Sequence, residues 1–348
     1  MIRRRVDVGH RCDRSIVHVV VGDGFAGTES YVCQAAVAAT SRGWAVTVVG
    51  GHPAKMQAGL GAAVRWLPGS SVAQAAGSLL RVGRVDVVHA HMTAAELVAT
   101  GLRRRNRGLF VCTRHFAARR GSTPLARALS PHVNRVLDRQ IAISQFVAER
   151  LDTPPDVVLW HGLRPRSRPD RPSEQRVLLL QRLEPEKDTS TALHAWARSG
   201  LGEAGWSLRL AGQGQERPAL EALARRLGVS SSTRFLGFVD DPRTELARAD
   251  ILVATASAEP FGLSVLEAMS FATPVVATAA GGHLETVGRA SGACLFPPRD
   301  ASALAGLLVQ LAQDPPRRLA YGAELQRLQR ADFDLDDHVT RLLAVYQS

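Results

Sequence analysis

Aromatic residues and lysine are both scarce in this chain of 348 residues. Aromatic residues make up 5% of the sequence, and lysine supplies only two of the 43 basic residues, Lys55 and Lys187. The apolar content of 45% is nevertheless that of an ordinary folded protein, which excludes disordered and collagen-like classes. The length exceeds what one hydrophobic core of usual size needs and predicts two domains.

Long apolar runs and paired cysteines are missing as well. The run at residues 16–21 follows a basic start but is too short for a signal peptide or for a membrane helix of about 20 residues. We therefore expect a cytoplasmic protein. The four cysteines, Cys12, Cys33, Cys112 and Cys294, lack the spacing of metal ligands and are expected to be buried free thiols.

Positive charge is concentrated in the first half of the chain. The net charge is +11, and residues 1–170 contain 24 Lys and Arg against 11 Asp and Glu. This asymmetry indicates that the first half meets an anionic partner, such as a phosphorylated substrate, a membrane surface or a nucleic acid. A general preference of the source for arginine is the alternative explanation.

Short β-rich runs alternate with amphipathic segments, a pattern typical of parallel sheets covered by helices. Strands are predicted in the first half at residues 16–21, 45–49, 64–66, 85–89, 109–113, 140–143 and 157–159. In the second half they are predicted at residues 177–180, 207–211, 233–236, 251–254 and 274–277. The predicted helices include residues 29–41, 94–103, 144–151, 216–227, 301–313 and 335–347. The fold class is therefore α/β, with two Rossmann-like domains and a cleft between them.

Residues 164–172 are rich in proline and charge and form the predicted linker. This places an N-terminal domain at residues 1–165 and a C-terminal domain at residues 173–330. A C-terminal helix at residues 331–348 is expected to pack back toward the N-terminal domain. Ligands of such sheets bind beyond the carboxyl ends of the strands, so the loops after strands are the candidate sites.

Glycine-rich turns follow strands in both halves. Gly22, Gly24 and Gly27 satisfy the G-x-G-x-x-G pattern, in which backbone amides approach an anion. The second strand ends without the Asp or Glu that would hold an NAD ribose, which disfavours a dehydrogenase. The turn could instead hold a substrate phosphate or a sugar hydroxyl, or be a tight turn without a ligand. Residues 211–214 and 280–283 form similar turns.

Charged residues follow two strands of the second half. Arg182 and Lys187 precede a helix and could grip a diphosphate, or belong to a solvated loop. Glu259 lies on a loop before the next helix, where a carboxylate and free amides suit a polyhydroxylated, phosphorylated donor. Glu267 could take part in the same site or close a capping box with Ser264.

In the second half these residues resemble the retaining glycosyltransferases of family 4, which have the GT-B fold. Glu259 and Glu267 resemble the family's E-x7-E signature, and Arg182 and Lys187 resemble its R-x4-K pair. The sequence departs from the family pattern beside these residues. Gln181 and Asp188 stand where glycine is usual, and His161 stands where asparagine is usual.

The resemblance extends to the first half, where Gly27 and Thr28 resemble the acceptor loop and His91 resembles the histidine that ends a strand near the reacting centre. It implies four catalytic residues: His91, Arg182, Lys187 and Glu259. It implies donor binding by Arg182, Lys187, Gly212, Phe238, Val239, Glu259, Phe261, Gly262, Leu263 and Glu267. Acceptor binding is assigned to Gly27, Thr28 and His115.

The implied activity is a retaining hexosyl transfer without a metal or other cofactor. The donor would be a UDP-sugar first and a GDP-sugar second, and the acceptor a hydroxyl of a glycan, a lipid-linked molecule or a small molecule. Arg182 and Lys187 would stabilise the leaving diphosphate, Glu259 would hold the sugar hydroxyls, and Glu267 would bind the ribose diol. A metal at His89 and His91 is disfavoured because no acidic residue or cysteine is nearby in sequence.

Two other functions share this architecture. A sugar-nucleotide epimerase is disfavoured by the E-x7-E spacing with its Arg and Lys, and a non-catalytic partner subunit by the intact charged residues. The arginines expected beside the acceptor loops could contact an anionic membrane or form a solvated face; they are Arg103, Arg104, Arg105, Arg107, Arg114, Arg119 and Arg120. Nucleic-acid binding is disfavoured because aromatic residues are not interleaved with them.

Overall fold

The computed structural model describes residues 14–118, 124–167 and 173–348. The chain divides into two compact units. The first contains the described part of Met1–Ile143 together with Val147–Leu159 and Leu335–Ser348, and the second contains Ser144–Phe146 and Trp160–Asp334. The chain passes from the first unit to the second after Leu159, ahead of the predicted linker. Residues 168–172 of that linker lie outside the described residues, as do Cys12, Arg119 and Arg120.

The first unit is built on a seven-stranded parallel sheet in the order β3-β2-β1-β4-β5-β6-β7. Its strands are β1 (Arg14–Val20), β2 (Trp44–Gly50), β3 (Arg65–Leu67), β4 (Val87–His91), β5 (Leu109–Arg114), β6 (Arg139–Ala142) and β7 (Val157–Val158). The helices are α1 (Gly27–Thr40), α2 (Pro53–Leu60), α3 (Val72–Val82), α4 (Thr93–Gly101), α5 (Pro124–Val136) and α6 (Gln145–Ala148).

The alternation of side chains along β1 explains why helices cover both faces of this sheet. Ile16 and Val20 point into a core with α1 and α2. Val17 and Val19 point into a second core with α3 and α4. Because both faces of the strand are apolar, neither can be left in water, and the parallel order follows from the helical crossovers.

The second unit contains a six-stranded parallel sheet in the order β10-β9-β8-β11-β12-β13. Its strands are β8 (Arg176–Leu180), β9 (Ser207–Ala211), β10 (Thr233–Gly237), β11 (Ile251–Ala254), β12 (Val275–Thr278) and β13 (Leu295–Phe296). The helices are α7 (Thr189–Ser199), α8 (Arg217–Arg226), α9 (Pro242–Arg248), α10 (Leu263–Ser270), α11 (Ala301–Gln313) and α12 (Pro315–Asp332).

The predicted α/β class with two Rossmann-like sheets is confirmed, and each predicted strand is present with bounds that differ by at most two residues. Strand β13 was not predicted. The described cysteines Cys33, Cys112 and Cys294 are buried free thiols, as expected. Among the described residues, none of the helices combines the length and the apolar character that crossing a bilayer requires.

The last helix, α13 (Leu335–Val345), belongs to the first unit. Its buried side chains Val339 and Leu342 join the core formed by β1, α1 and α2. Beyond the helix, the Tyr346 hydroxyl lies 2.6 Å from Nδ1 of His89 on β4. Residues far apart in sequence therefore complete one hydrophobic core.

Candidate active site

The second sheet reverses its strand order between β8 and β11, which are neighbours. Loops that leave the carboxyl ends of such strands diverge and open a crevice, the usual ligand site of parallel sheets. Lys187 lies on the loop after β8, and Glu259 lies on the loop after β11. Their side chains form an ion pair with 2.5 Å between Nζ and Oε2. Less than one fifth of the surface of each side chain is exposed. The switch point therefore places a cation and a carboxylate together.

Gln181 fixes the loop that carries Lys187. Its side-chain amide donates to the carbonyl oxygen of Lys187 (3.1 Å) and lies 3.1 Å from Oγ1 of Thr255. The Thr255 hydroxyl also donates to the Lys187 carbonyl, at 2.5 Å. Asp188, the other departure from the family pattern, has a left-handed backbone with φ of 49°. Gln181 thus holds the loop with hydrogen bonds that a glycine could not make.

The glycine turn after β9 packs against the same loop. A Cβ atom on Gly212 would overlap the carbonyl oxygen of Gln181, and one on Gly214 would overlap that of Leu183. The backbone of Leu183 also donates to Gln213 O at 2.9 Å. Close packing of two backbones is therefore one reason for glycine at these positions, whatever ligand they bind.

We expect Gly212→Ala to lower the free energy of unfolding by about 1–3 kcal/mol, because the backbone of Gln181 must move to admit the methyl group. Gly306→Ala, in α11 of the same unit, is the matched control. No atom lies within 4 Å of a Cβ placed there, so this change should stabilise by about 0.5–1 kcal/mol. Urea unfolding of both variants measures the difference, and equal effects would exclude the packing argument.

The loop that carries Glu259 is held from two sides. Oγ of Ser144 donates to the carbonyl oxygen of Pro260 at 2.6 Å, and the Gly282 amide donates to that of Glu259 at 2.8 Å. Gly262, with φ of 91°, is the N-cap of α10 and is followed by Leu263. The amides of the first turn of α10 are therefore available at this end of the helix.

Two predicted donor-binding residues differ in accessibility. The Phe261 side chain is buried and packs against His161 and Phe333, with ring centroids 5.8 and 5.9 Å away. Only its backbone can meet a ligand. Phe238, after β10, is instead 50% exposed and precedes the half-buried Val239. An exposed aromatic ring at the end of a strand can stack on a flat ligand.

Arg182 does not contact Glu259 or Lys187. Its guanidinium forms an ion pair with Glu186 at 2.6 Å, and 61% of the side chain is exposed. It stands on the same loop as Lys187. The sequence correctly places both cations on one loop, but the structure brings only Lys187 to the carboxylate.

Glu267 has an environment of its own within α10. Burial raises the pKa of its carboxyl to about 7, against the lowering effect of Arg166 and Arg243 and with a further rise from Asp241. The capping box with Ser264 is not formed, because the N-cap of α10 is Gly262 and makes no side-chain cap. That alternative was wrong since the helix begins earlier than the sequence pattern indicated.

His283 also belongs to this site. It lies in the predicted glycine turn at residues 280–283, but no role was predicted for it from the sequence. It is buried, and its Nδ1 lies 2.9 Å from the Thr278 hydroxyl. Burial lowers its pKa to about 4, and the charges of Glu259 and Lys187 act on it in opposite directions. A neutral imidazole therefore borders the ion pair. Its position in the glycine turn after β12 is the sequence feature from which a role in the site could have been predicted.

In the first unit, His91 ends β4 at the switch point between β1 and β4. The ring is buried, and both nitrogens face other imidazoles. Nε2 lies 3.0 Å from Nδ1 of His18, and Nδ1 lies 3.0 Å from Nε2 of His115. Burial lowers the pKa of His18 to about 4 and that of His115 to about 3, with a further contribution from Arg114 to the latter. His91 thus stands between two rings that are neutral at pH 7.

His89 shares this face of the sheet, because β4 continues to His91. Its Nδ1 lies 2.6 Å from the Tyr346 hydroxyl and its Nε2 lies 2.7 Å from that of Thr113. His18, His89 and His91 each offer a nitrogen within 4.8 Å of the others, a spacing compatible with a metal ion. Binding an ion would require His89 to give up one hydroxyl partner. Metal independence stays a prediction.

The predicted acceptor residues Gly27 and Thr28 open α1 after the first glycine turn. The Glu29 carboxylate accepts a hydrogen bond from the Ala26 amide at 2.8 Å and is thereby used as a helix cap. Gly27 is exposed and Thr28 half-buried. His115 follows β5 and is buried, with its ring centroid 5.7 Å from that of Tyr31.

The described arginines of the stretch do not form one surface beside these loops, and the prediction was wrong for Arg103, Arg104, Arg105 and Arg107. Arg103, Arg104, Arg105 and Arg107 precede β5 and lie at the edge of the sheet where strands begin. Arg114 ends β5 at the opposite edge but is buried beside Glu96, at 3.6 Å. The two groups are close in sequence, but strand β5 separates them in the structure.

Comparisons with known proteins identify the family. The family model described as Glycosyltransferase Family 4 matches residues 25–162, and that described as Glycosyl transferases group 1 matches residues 165–327. A D-inositol 3-phosphate glycosyltransferase of Frankia alni is 30% identical over 284 residues, which cover 69% of this chain and 69% of that protein.

Two further matches differ in extent. The glycogen synthase of Mycobacterium tuberculosis is 36% identical over 189 residues, but these cover 53% of this chain and only 44% of the synthase. The structure of Anabaena HepE in complex with UDP and glucose has a similar fold, with a TM-score of 0.78 at 20% identity over 96% of this chain and 99% of that one. The chain therefore belongs to glycosyltransferase family 4 and has the GT-B fold.

Proposed function

We propose that the protein is a retaining hexosyltransferase that uses a nucleoside-diphosphate sugar, with UDP-sugars as the first candidates and GDP-sugars as the second. The observation that carries the proposal is the Lys187–Glu259 pair at the switch point of the second sheet. A compact ammonium suits a diphosphate, and a carboxylate suits sugar hydroxyls. UDP is ranked first because HepE, which shares the fold, was solved with UDP and glucose.

Donor binding would rearrange this pair. The diphosphate would take Lys187 as its counter-ion and draw Arg182 away from Glu186, which frees the Glu259 carboxylate to accept hydrogen bonds from the sugar. As the bond between the anomeric carbon and the phosphate oxygen breaks, negative charge grows on the leaving diphosphate beside both cations. The same oxygen would take the proton of the acceptor hydroxyl that bonds to the anomeric carbon on the same face. Fixed charges of this kind lower the barrier without a metal ion.

The first unit would bind the hydroxyl acceptor, a glycan, a lipid-linked molecule or a small molecule, with Gly27, Thr28 and His115. His91 would act as a ring of fixed orientation and not as a base, because both of its nitrogens already face imidazoles. The basic composition of this half supports contact with an anionic membrane surface. Nucleic-acid binding is not proposed, because aromatic residues are not interleaved with the arginines.

The proposal is tested by incubating the full chain with a panel of UDP- and GDP-sugars, with and without EDTA, and by measuring released nucleotide. We expect slow hydrolysis of one donor that EDTA does not affect. An epimerase would convert the sugar without releasing UDP or GDP. Failure to consume any donor of the panel, in the absence and presence of hydroxyl acceptors, would contradict the proposal.

Nucleotide binding should depend on the ionisation of Glu267. Its pKa is raised to about 7 in the empty protein, and only the ionised carboxylate can accept both hydroxyls of a ribose. We expect the affinity for UDP to be constant above pH 7 and to fall toward tenfold per pH unit below it. Titration calorimetry at several pH values measures this, and Glu267→Gln should bind weakly with no such dependence. An equal pH dependence in that variant would exclude Glu267 as its source.

A further inference from the structure

The loop between α4 and β5 carries three arginines around an open cavity. The cavity has a volume of about 410 Å³ and is lined by Arg103, Arg104 and Arg107. This volume lies within the usual range of small-molecule sites. The loop precedes β5, so the cavity lies at the edge where the strands begin, whereas His91 ends β4 at the other edge. It is therefore separate from the proposed acceptor residues.

The backbone of this loop is fixed by Asn106. The side chain is buried, donates to the carbonyl oxygen of Gly83 at 3.2 Å and accepts from the Gly108 amide at 3.2 Å. Arg103 is fixed as well, through its ion pair with Asp138 at 2.6 Å. A loop held in this way presents its remaining side chains from a defined backbone, which reduces the entropy cost of binding.

Two of the three positive charges of the cavity are not neutralised by their surroundings, whereas that of Arg103 is paired with Asp138. Arg104 and Arg107 are exposed, and neither has a hydrogen bond or an ion pair with any residue that the structure describes. Asp138 and Asp86, the acidic residues near this loop, do not pair with Arg104 or Arg107. Asp138 also accepts from the Phe110 amide at 2.7 Å, and Asp86 is bonded to the amide and the hydroxyl of Ser15, each at 2.7 Å.

We propose that Arg103, Arg104 and Arg107 form a binding site for a phosphate-type oxyanion, distinct from the donor and acceptor sites. The planar guanidinium fork matches the tetrahedral oxygens of a phosphate. Arg104 and Arg107 can each present such a fork, and Arg103, held by Asp138, lines the same cavity. The phosphate can belong to a phospholipid headgroup at a membrane surface or to a soluble phosphate ester. The site does not depend on the donor or on transfer.

The two sources are separated by two binding assays on the full chain. One measures co-sedimentation with vesicles of phosphatidylglycerol against vesicles of phosphatidylcholine, and the other measures titration with inorganic phosphate. The test variant is Arg104→Gln/Arg107→Gln, and Arg65→Gln/Arg234→Gln removes the same charge from exposed positions outside the cavity. Because all four side chains are exposed, both variants should fold, which circular dichroism checks.

We expect the test variant to lose roughly thirtyfold in affinity in one of the two assays, as two lost charges predict, and the control variant to lose far less. Loss with phosphatidylglycerol alone assigns the site to a lipid headgroup, and loss with inorganic phosphate assigns it to a soluble phosphate. Equal behaviour of the two variants in both assays would overturn the proposal.

Discussion

Lys187→Ala is expected to reduce kcat for sugar transfer by about 100- to 1000-fold while the protein stays folded. The ammonium is the cation that contacts Glu259 at the switch point, and removal of one preorganised charge from a transition state costs roughly 3 kcal/mol. Glu259→Ala should reduce kcat by a similar factor, because the sugar hydroxyls lose the carboxylate that orients the ring. Initial rates with saturating donor measure both effects.

Two further variants give this test its controls. Arg327→Ala, which breaks an exposed ion pair with Glu324 on α12, should leave kcat unchanged. Lys187→Arg keeps the charge but not the compact shape, so it should recover only part of the activity. Full activity of purified Lys187→Ala would show that the pair is structural and not catalytic.

The first unit is expected to lose stability steeply as the pH falls from 7.5 to 5. Burial lowers the pKa of His18 to about 4 and that of His115 to about 3, and lowers that of His89 well below its usual range. In the unfolded chain these groups take up protons near pH 6.5, whereas the folded unit excludes them. His18 and His115 together therefore account for a loss of roughly 4 kcal/mol by pH 5, which continues down to their folded pKa values.

Hydrogen exchange measured by mass spectrometry can localise this loss. Peptides that cover β1 and β4 should lose protection at pH 5 after correction for the intrinsic rates, and those that cover β8 and β9 should lose less. His18→Leu should reduce the pH dependence by about half of the expected value, and His132→Gln, at an exposed position, should not change it. Equal protection of β1 at both pH values would contradict the argument.

The fold was largely predictable because its strands are buried on both faces. Runs such as those of β8 and β11 are continuously apolar, and the helices between them carry clear periodicity. The two-residue strand β13 was not predicted. The order of the strands in each sheet was also not in the sequence pattern, since it depends on crossovers and on which faces meet.

The site was predictable only where residues share a loop or a motif. Lys187 and Glu259 were identified, and the structure brings them together. The partners of His91 were not identified, because His18 lies on β1 and His115 follows β5, and only the sheet order reveals that both strands flank β4. The sequence identified Gln181 only as a departure from the family pattern. The structure shows that its side chain forms hydrogen bonds that hold the loop.

The return of α13 to the first sheet has a consequence for how the chain matures on the ribosome. The face of β1 and β4 that carries His18 and His89 keeps part of its apolar surface uncovered until residues 335–346 have been synthesised. By then every strand of the second sheet has already left the exit tunnel. The first sheet is therefore translated first but completes its hydrophobic core last. Until then its exposed apolar face is the surface on which we expect a chaperone to bind.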